Sequence, residues 1–294
     1  MTARAAVAAA AVLGALLLSG GPAHSQGASP AIWQLEGRHN SIYLLGSVHA
    51  LRDETQALPA SLQRAYKAAD VLYMEIDLDD LDPTEVQQFT LSNGILPPER
   101  TLADVMGAEQ YARAKSEAQK LGLDLDQLAR LEPWVVAISA IQAQVMRLGL
   151  DPEAGVEQRL VRDAVRDGKE VRGLETVSDQ FGVFDRLSLE RQQEFLLMSL
   201  EEAVDLPAEI DKLIDAWSRG DVEGLERLLS EGFEQFPDLY QPLVVARNRN
   251  WTRQIAELLD DDRNYLVVVG ALHLAGPDSV IEMLKAQGHP ARRQ

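Results

Sequence analysis

Two short stretches of the chain share one pattern. "YLLGSVHAL" at residues 43–51 and "VVVGALHLA" at residues 267–275 each pass from an apolar run through Gly-x-x-His, which places His49 and His273 three residues beyond Gly46 and Gly270. Glu75 closes another apolar run, "VLYM". Two imidazoles and one carboxylate suit a divalent transition metal; Mn, Co, Zn and Fe are all compatible, and a coordination position is left for water or substrate. A bound ion of this kind lowers the pKa of a water towards about 7 and polarises a carbonyl, as peptide or ester hydrolysis requires. The same residues allow a metal-free route with His49 as general base, oriented by a carboxylate. Either His alone reads more readily as a strand cap satisfied by backbone or solvent. Recurrence in matching contexts is what singles out the pair.

These residues can meet only if the strands that precede them end at one edge of one sheet. "AIWQLEG" and "HNSIYLLGSVH" read as two strands joined by a Gly37-Arg38-His39-Asn40 turn, a hairpin. "ASLQRAYKAAD" has helical spacing and "VLYMEIDL" returns to a strand, so the N-terminal part runs β-β-α-β. Asp82-Pro83-Thr84-Glu85 reads as a helix start, with helices following over residues 108–120, 133–148 and 154–166 and Asp167-Gly168 closing the last. "KEVRGLE" is a further strand, residues 176–260 are helical with breaks at Arg219-Gly220-Asp221 and Phe236-Pro237, "YLVVVGALH" is a strand, and "PDSVIEMLKAQG" is the last helix. The fold class is therefore α/β: a central mixed, partly parallel sheet flanked by helices, with a long helical insertion, about 82–165 and 176–260, between its N- and C-terminal sheet elements. Ligands of such sheets sit beyond the carboxyl ends of the strands. Gly46 and Gly270 let the chain turn and approach a ligand there.

Composition narrows the functional classes. Residues 1–25 have the layout of a secretory signal, with Arg4, an apolar run from Ala5 to Leu18, a Gly-Gly-Pro break and small residues before Gln26. The run is shorter than the roughly 20 residues a membrane span needs. Cleavage leaves residues 26–294, read as a single α/β domain that is periplasmic or secreted and has no stable membrane anchor. Cys is absent from all 294 residues, which excludes disulfides, thiolate nucleophiles and Cys-ligated metals. A net charge of −18 opposes nucleic-acid binding and disfavours anionic membrane surfaces, and it is nearly silent on which peptide or small molecule would be the substrate. "DLDDLD" at 77–82 lacks the Gly and Glu of an EF-hand loop. No Gly-x-Ser-x-Gly elbow, phosphate loop, dinucleotide fingerprint or His-Glu-x-x-His occurs. Ser47 carries no mark of a nucleophile, and His39 and His289 read as surface residues.

The ordered set "GSVH", "MEID", "GLETVSDQ", "WSRGD", "ARNRNW" and "VVVGALHLAGPDSVIEML" resembles the TraB/GumN family, over Ala31 to about Gly288. That family is similar to the Tiki metalloproteases and groups with erythromycin esterase and ChaN-like folds. The resemblance implies a hydrolase-like α/β fold and divalent-metal-dependent peptide cleavage. It matches His49 and His273 to the two motif histidines, Glu75 to the acidic strand end, Glu175 and Gln180 to the "LE" to "Q" element, and Arg247 and Asn248 to the Arg-Asn before Trp251. It also implies a further short strand beyond the closing "HPARRQ". Its ChaN-like and esterase branches supply two alternatives, a non-catalytic haem, iron or small-ligand binder and a metal-free esterase using His49.

On the leading reading His49, Glu75 and His273 hold the metal, Glu75 or Glu175 orients or deprotonates the attacking water, and Arg247 with Asn248 stabilises developing negative charge. Glu175 reads somewhat more readily as a charge favoured at a helix N-terminus. Arg247 reads equally as a partner in a buried ion pair with Glu75 or Glu175.

Overall fold

The computed structural model describes residues 30–48, 58–79, 83–148, 155–204, 206–234 and 236–294. The signal-like segment 1–25, His49, the end of the acidic loop at 80–82 and Asp151-Pro152 lie outside the described residues. No described helix is long and apolar enough to cross a membrane.

The hairpin forms as the alternation demands: β1 (Ile32–Glu36) pairs antiparallel with β2 (Ser41–Ser47), and the Gly37 N–H donates to the Asn40 carbonyl at 2.9 Å to close the turn. Helix α1 (Ala60–Ala68) leads into β3 (Val71–Met74). Four helices follow, α2 (Pro83–Asn93), α3 (Leu102–Lys120), α4 (Pro133–Arg147) and α5 (Val156–Asp167), and Gly168 ends the last with a left-handed φ of 69°. After β4 (Glu170–Gly173) come α6 (Val177–Asp185), α7 (Leu189–Glu201), α8 (Leu206–Ser218), α9 (Val222–Phe233), the short α10 (Pro237–Tyr240), a π-helical turn over Gln241–Val245, and α11 (Ala246–Leu258). The chain finishes through β5 (Tyr265–Gly270), α12 (Val280–Ala286) and β6 (Arg292–Arg293).

The six strands among the described residues form one sheet in the order β4-β3-β5-β2-β1-β6. The pairs β4–β3, β3–β5 and β5–β2 are parallel, whereas β1 is antiparallel to both of its neighbours. The fold is thus α/β with a mixed, largely parallel sheet. Strand alternation splits the core in two. Leu45, Leu72, Leu266 and Val268 face the helical mass that includes α4, α5, α7 and α8, while Leu44, Tyr73, Val267 and Val269 face Trp251 and Ile255 of α11 and Val280 and Leu284 of α12. The long helical excursions therefore build the cover of one face, and α11 with α12 the other.

Three details depart from the sequence pattern. Helix α3 starts at Leu102, six residues before the expected Ala108, because Thr101 and Asp104 form a capping box and the helix then kinks at Gly107 (φ 73°). The strand expected to run on to His273 ends at Gly270, and Ala271–Leu274 coils into a 3-10 turn. The further strand lies inside the closing hexapeptide: Arg292 and Arg293 pair with Gln34 and Trp33 and cover the β1 edge.

Gly46 also has a clear reason. A Cβ there would lie 2.9 Å from the Ala271 Cα, so β2 and the 3-10 turn can approach this closely only without a side chain. Gly46→Ala should cost about 1–3 kcal/mol in chemical denaturation; an unchanged midpoint would show that the turn can shift freely.

Candidate functional site

Each of the four parallel strands delivers polar residues to the same edge. Beyond β3 stands Glu75, beyond β4 Glu175, beyond β5 His273, and at the end of β2 Ser47. The β3–β4 pairing continues past the strands, since the Glu175 N–H donates to the Glu75 carbonyl at 2.9 Å and sets the two carboxylates side by side. Thr176 and Asp179 then cap α6 reciprocally, fixing where the chain turns from strand to helix. Arg247 and Asn248 enter from the first turn of α11, directly after the π turn. Such turns are frequent at functional sites because they re-aim a helix face.

These residues form one buried network. Arg247 Nη2 donates to Glu75 Oε2 at 2.7 Å and to Glu175 Oε1 at 2.6 Å, and Nε lies 3.0 Å from Glu175 Oε2. Nη1 faces the Leu243 carbonyl and His273 Nε2, each at 3.3 Å. Every one of the five guanidinium N–H groups thus meets an acceptor. Glu75 is held further by the Gly270 N–H on Oε1 at 2.6 Å and by Gln180 Nε2 on Oε2 at 3.2 Å. Gly270 itself has an ordinary φ of −52°, so its visible contribution is this N–H and not an unusual backbone conformation.

The His273 tautomer follows from its partners. Asn248 Nδ2 donates to the Asp278 carbonyl at 2.7 Å, which turns Oδ1 towards His273 Nδ1 at 2.6 Å as an acceptor. Nδ1 therefore carries the proton, and Nε2 presents its lone pair to the guanidinium, which can only donate. Trp251 packs on both groups, with its ring 4.6 Å from the imidazole and 4.7 Å from the Arg247 guanidinium carbon.

Among the described residues two carboxylates share one guanidinium, so these three groups are one positive charge short of neutrality when both carboxylates are ionised. Burial pushes the Glu175 carboxyl up; Arg247 pulls it down and Glu75 raises it again, leaving it at about 7. Burial works against the Arg247 charge, but Glu175 and Glu75 more than offset this and hold its pKa above the usual range. Glu175 consequently binds a proton more tightly folded than unfolded, so its stabilising contribution is complete below its ordinary value near 4.5 and is lost as pH rises through about 7. In chelated buffer the wild-type unfolding midpoint should fall between pH 5 and pH 8 relative to Glu175→Gln. Parallel pH profiles for the two proteins would contradict this.

The structure thus brings Glu75, Glu175, Arg247, Asn248 and His273 together with Gln180. His39 is exposed and His289 half-buried, and neither belongs to this network. The outward-looking alternative for Glu175, a helix-end charge, gives way to the buried pair with Arg247, while Asp179 serves the α6 cap. Three further acids among the described residues, Glu157, Glu202 and Glu209, are buried and are not singled out by the sequence pattern. Glu157, in the first turn of α5, accepts a hydrogen bond from Ser47 Oγ, which also lies 3.1 Å from the Val269 carbonyl. Its signal was available: Glu157 shares the apolar stripe of Leu160, Val161 and Ala164, where a carboxylate is out of place unless it is bonded.

Among the described residues no three His, Asp or Glu side chains are grouped as a ready-made metal site. The donor chemistry nevertheless fits one. His273 offers an Nε2 lone pair fixed by a hydrogen bond on its other nitrogen, and two buried carboxylates lack a full complement of positive charge. A groove lined by Glu36, His289 and Arg292 lies at the opposite edge, beside β1 and β6, remote from this chemistry.

The sequence model of the TraB/PrgY/gumN family matches residues 31–293. The chain belongs to that family. The uncharacterized protein YbaP of Shigella flexneri is 25% identical over 251 residues, covering 85% of this chain and 90% of its own. Metalloprotease TIKI1 of Danio rerio is 23% identical over 314 residues, covering 88% of this chain and 62% of its own. The Metalloprotease TIKI homolog of Amphimedon queenslandica is similar at 23% identity, covering 89% and 61%. No solved structure matches the chain significantly. For this TraB/PrgY/gumN member, the strand-end network lies wholly within the matched residues.

Proposed function

We propose that the protein is an exported, metal-dependent hydrolase of peptide-like bonds, with its centre at the carboxyl edge of the parallel strands. One observation carries the reading: an imidazole with its Nε2 lone pair fixed, set among two buried carboxylates that share a single guanidinium. Two similar proteins bear the name metalloprotease, which favours a peptide substrate. The signal-like residues 1–25 favour a periplasmic or secreted location, and the net charge of −18 disfavours nucleic acid as a substrate.

His273 and Glu75 would hold the ion, joined by His49, which follows β2 by two residues in sequence. Mn, Co, Zn and Fe suit this donor set. When bound, such an ion supplies an acidified water and a Lewis acid for the scissile carbonyl. Asn248 keeps the Nδ1 proton in place so that Nε2 stays unprotonated. Glu175 accepts the proton given up by the attacking water, and its buried position beside Arg247 keeps that proton within the site. Arg247, through its contact with Glu175, and the Gly270 N–H on Glu75 supply positive potential to the carboxylates and to charge developing next to them.

The test combines elemental analysis with peptide hydrolysis. Protein purified without chelator or nickel should hold about one equivalent of a transition metal, lose activity on chelation, and regain it with Mn, Co or Zn. Glu75→Gln should lose the metal and at least about 100-fold in turnover. Full activity after chelation, or in Glu75→Gln, would overturn the reading.

A further inference from the structure

We infer that Arg247 is a built-in rival of the metal: the guanidinium and a divalent cation are alternative occupants of one set of donor atoms, so metal loading waits for the side chain to withdraw. The inference rests on the cluster being a metal centre. Arg247 lies between Glu75 and His273, the two described residues that would hold an ion, and Glu175 beside them, with Nη2 2.7 Å from Glu75 Oε2 and 2.6 Å from Glu175 Oε1, and Nη1 3.3 Å from His273 Nε2. An imidazole Nε2 has one lone pair. It accepts the Arg247 N–H or binds an ion at about 2.0–2.1 Å, and it cannot do both.

The carboxylates have lone pairs to spare, but a second cation beside a buried guanidinium meets strong repulsion in a poorly solvated site. The two states therefore exclude each other at His273. In the metal-free state Arg247 compensates the buried carboxylates and keeps the site folded. In the loaded state it gives up His273 and Glu75 while the face of Trp251, already 4.7 Å from its guanidinium carbon, continues to hold the cation. Trp251 also touches His273, which makes it a local reporter of the exchange.

Stopped-flow mixing of the chelated full chain with excess Co²⁺, followed by tryptophan fluorescence, tests this. Trp251→Phe identifies which part of the signal arises at the site, because Trp33, Trp134 and Trp217 lie elsewhere in the chain. The quench rate should rise with Co²⁺ concentration and then level off at a first-order limit set by Arg247 leaving. At equilibrium, Arg247→Gln should bind Co²⁺ at least about tenfold more tightly than wild type. Arg247→Lys, a point charge that cannot span all three acceptors, should raise the plateau, and this variant with wild type decides the matter if Arg247→Gln does not fold. A rate linear in Co²⁺ throughout, with no gain in affinity in Arg247→Gln, overturns the rivalry and leaves the metal reading standing. Absence of Co²⁺ binding in wild type and both variants overturns the metal reading and the rivalry together.

Discussion

Arg247→Ala is expected to cost about 3–5 kcal/mol of folding stability at neutral pH, seen as a lower urea midpoint with an unchanged slope. The loss arises less from missing contacts than from what stays behind. Glu75 and Glu175 remain buried without their shared cation, and the Leu243 carbonyl and His273 Nε2 lose their donor. Adding Glu175→Gln to Arg247→Ala should return part of the stability, since one orphaned charge is removed; the two changes are coupled and will not add. A cost below about 1 kcal/mol would mean that the carboxylates are not truly confined, and the account of the site as a charge-compensated cluster would fail.

His273→Gln is expected to lower kcat/KM for peptide hydrolysis by about 10²–10⁴-fold and to weaken metal binding. Gln can still accept from Arg247 and fill much of the space under Trp251, so folding should survive, as circular dichroism and the thermal midpoint would show. The same change at His39, which is exposed, serves as the control and should do nothing. Activity within about twofold of wild type would assign His273 a structural task, pinning the 3-10 turn beneath Trp251.

Much of this arrangement is legible in the sequence. β2, β3 and β5 are short apolar runs bounded by turn residues and β4 is a short, turn-bounded segment with one buried Val171, and the residues just past their ends are polar types that stand out at the end of a sheet strand. That logic reached Glu75, Glu175 and His273. Arg247 was harder. "VVARNRNW" is of mixed character, and the direction of its first turn is set by the π turn over Gln241–Val245, where Pro242 lacks the N–H of a regular helical bond. Sequence periodicity assumes a regular helix and loses register there. It could offer an ion pair or a substrate clamp for Arg247 but not the simultaneous hold on Glu75, Glu175 and His273. Glu157 was missed for the opposite reason: an acid one residue into a helix reads as a dipole charge, and only its place on the apolar stripe says otherwise. The strand at Arg292–Arg293 has no apolar content at all and is defined by its partner β1.

The position of β5 in the sheet has a consequence for how the molecule comes into being. β5 is among the last elements to be synthesised, yet it is inserted between β3 and β2, and 223 residues of chain separate its first residue from its β2 partner Ile42. Until it arrives, the β1–β2 hairpin and the β3–β4 pair share no hydrogen-bonded edge; they are two half-sheets with facing gaps. Contacts of such long range are made late and slowly. The network around Arg247 needs Gly270 and His273, so it cannot assemble on a nascent chain that ends before residue 265. A polypeptide with this layout brings its buried charges together only once β5 is in place.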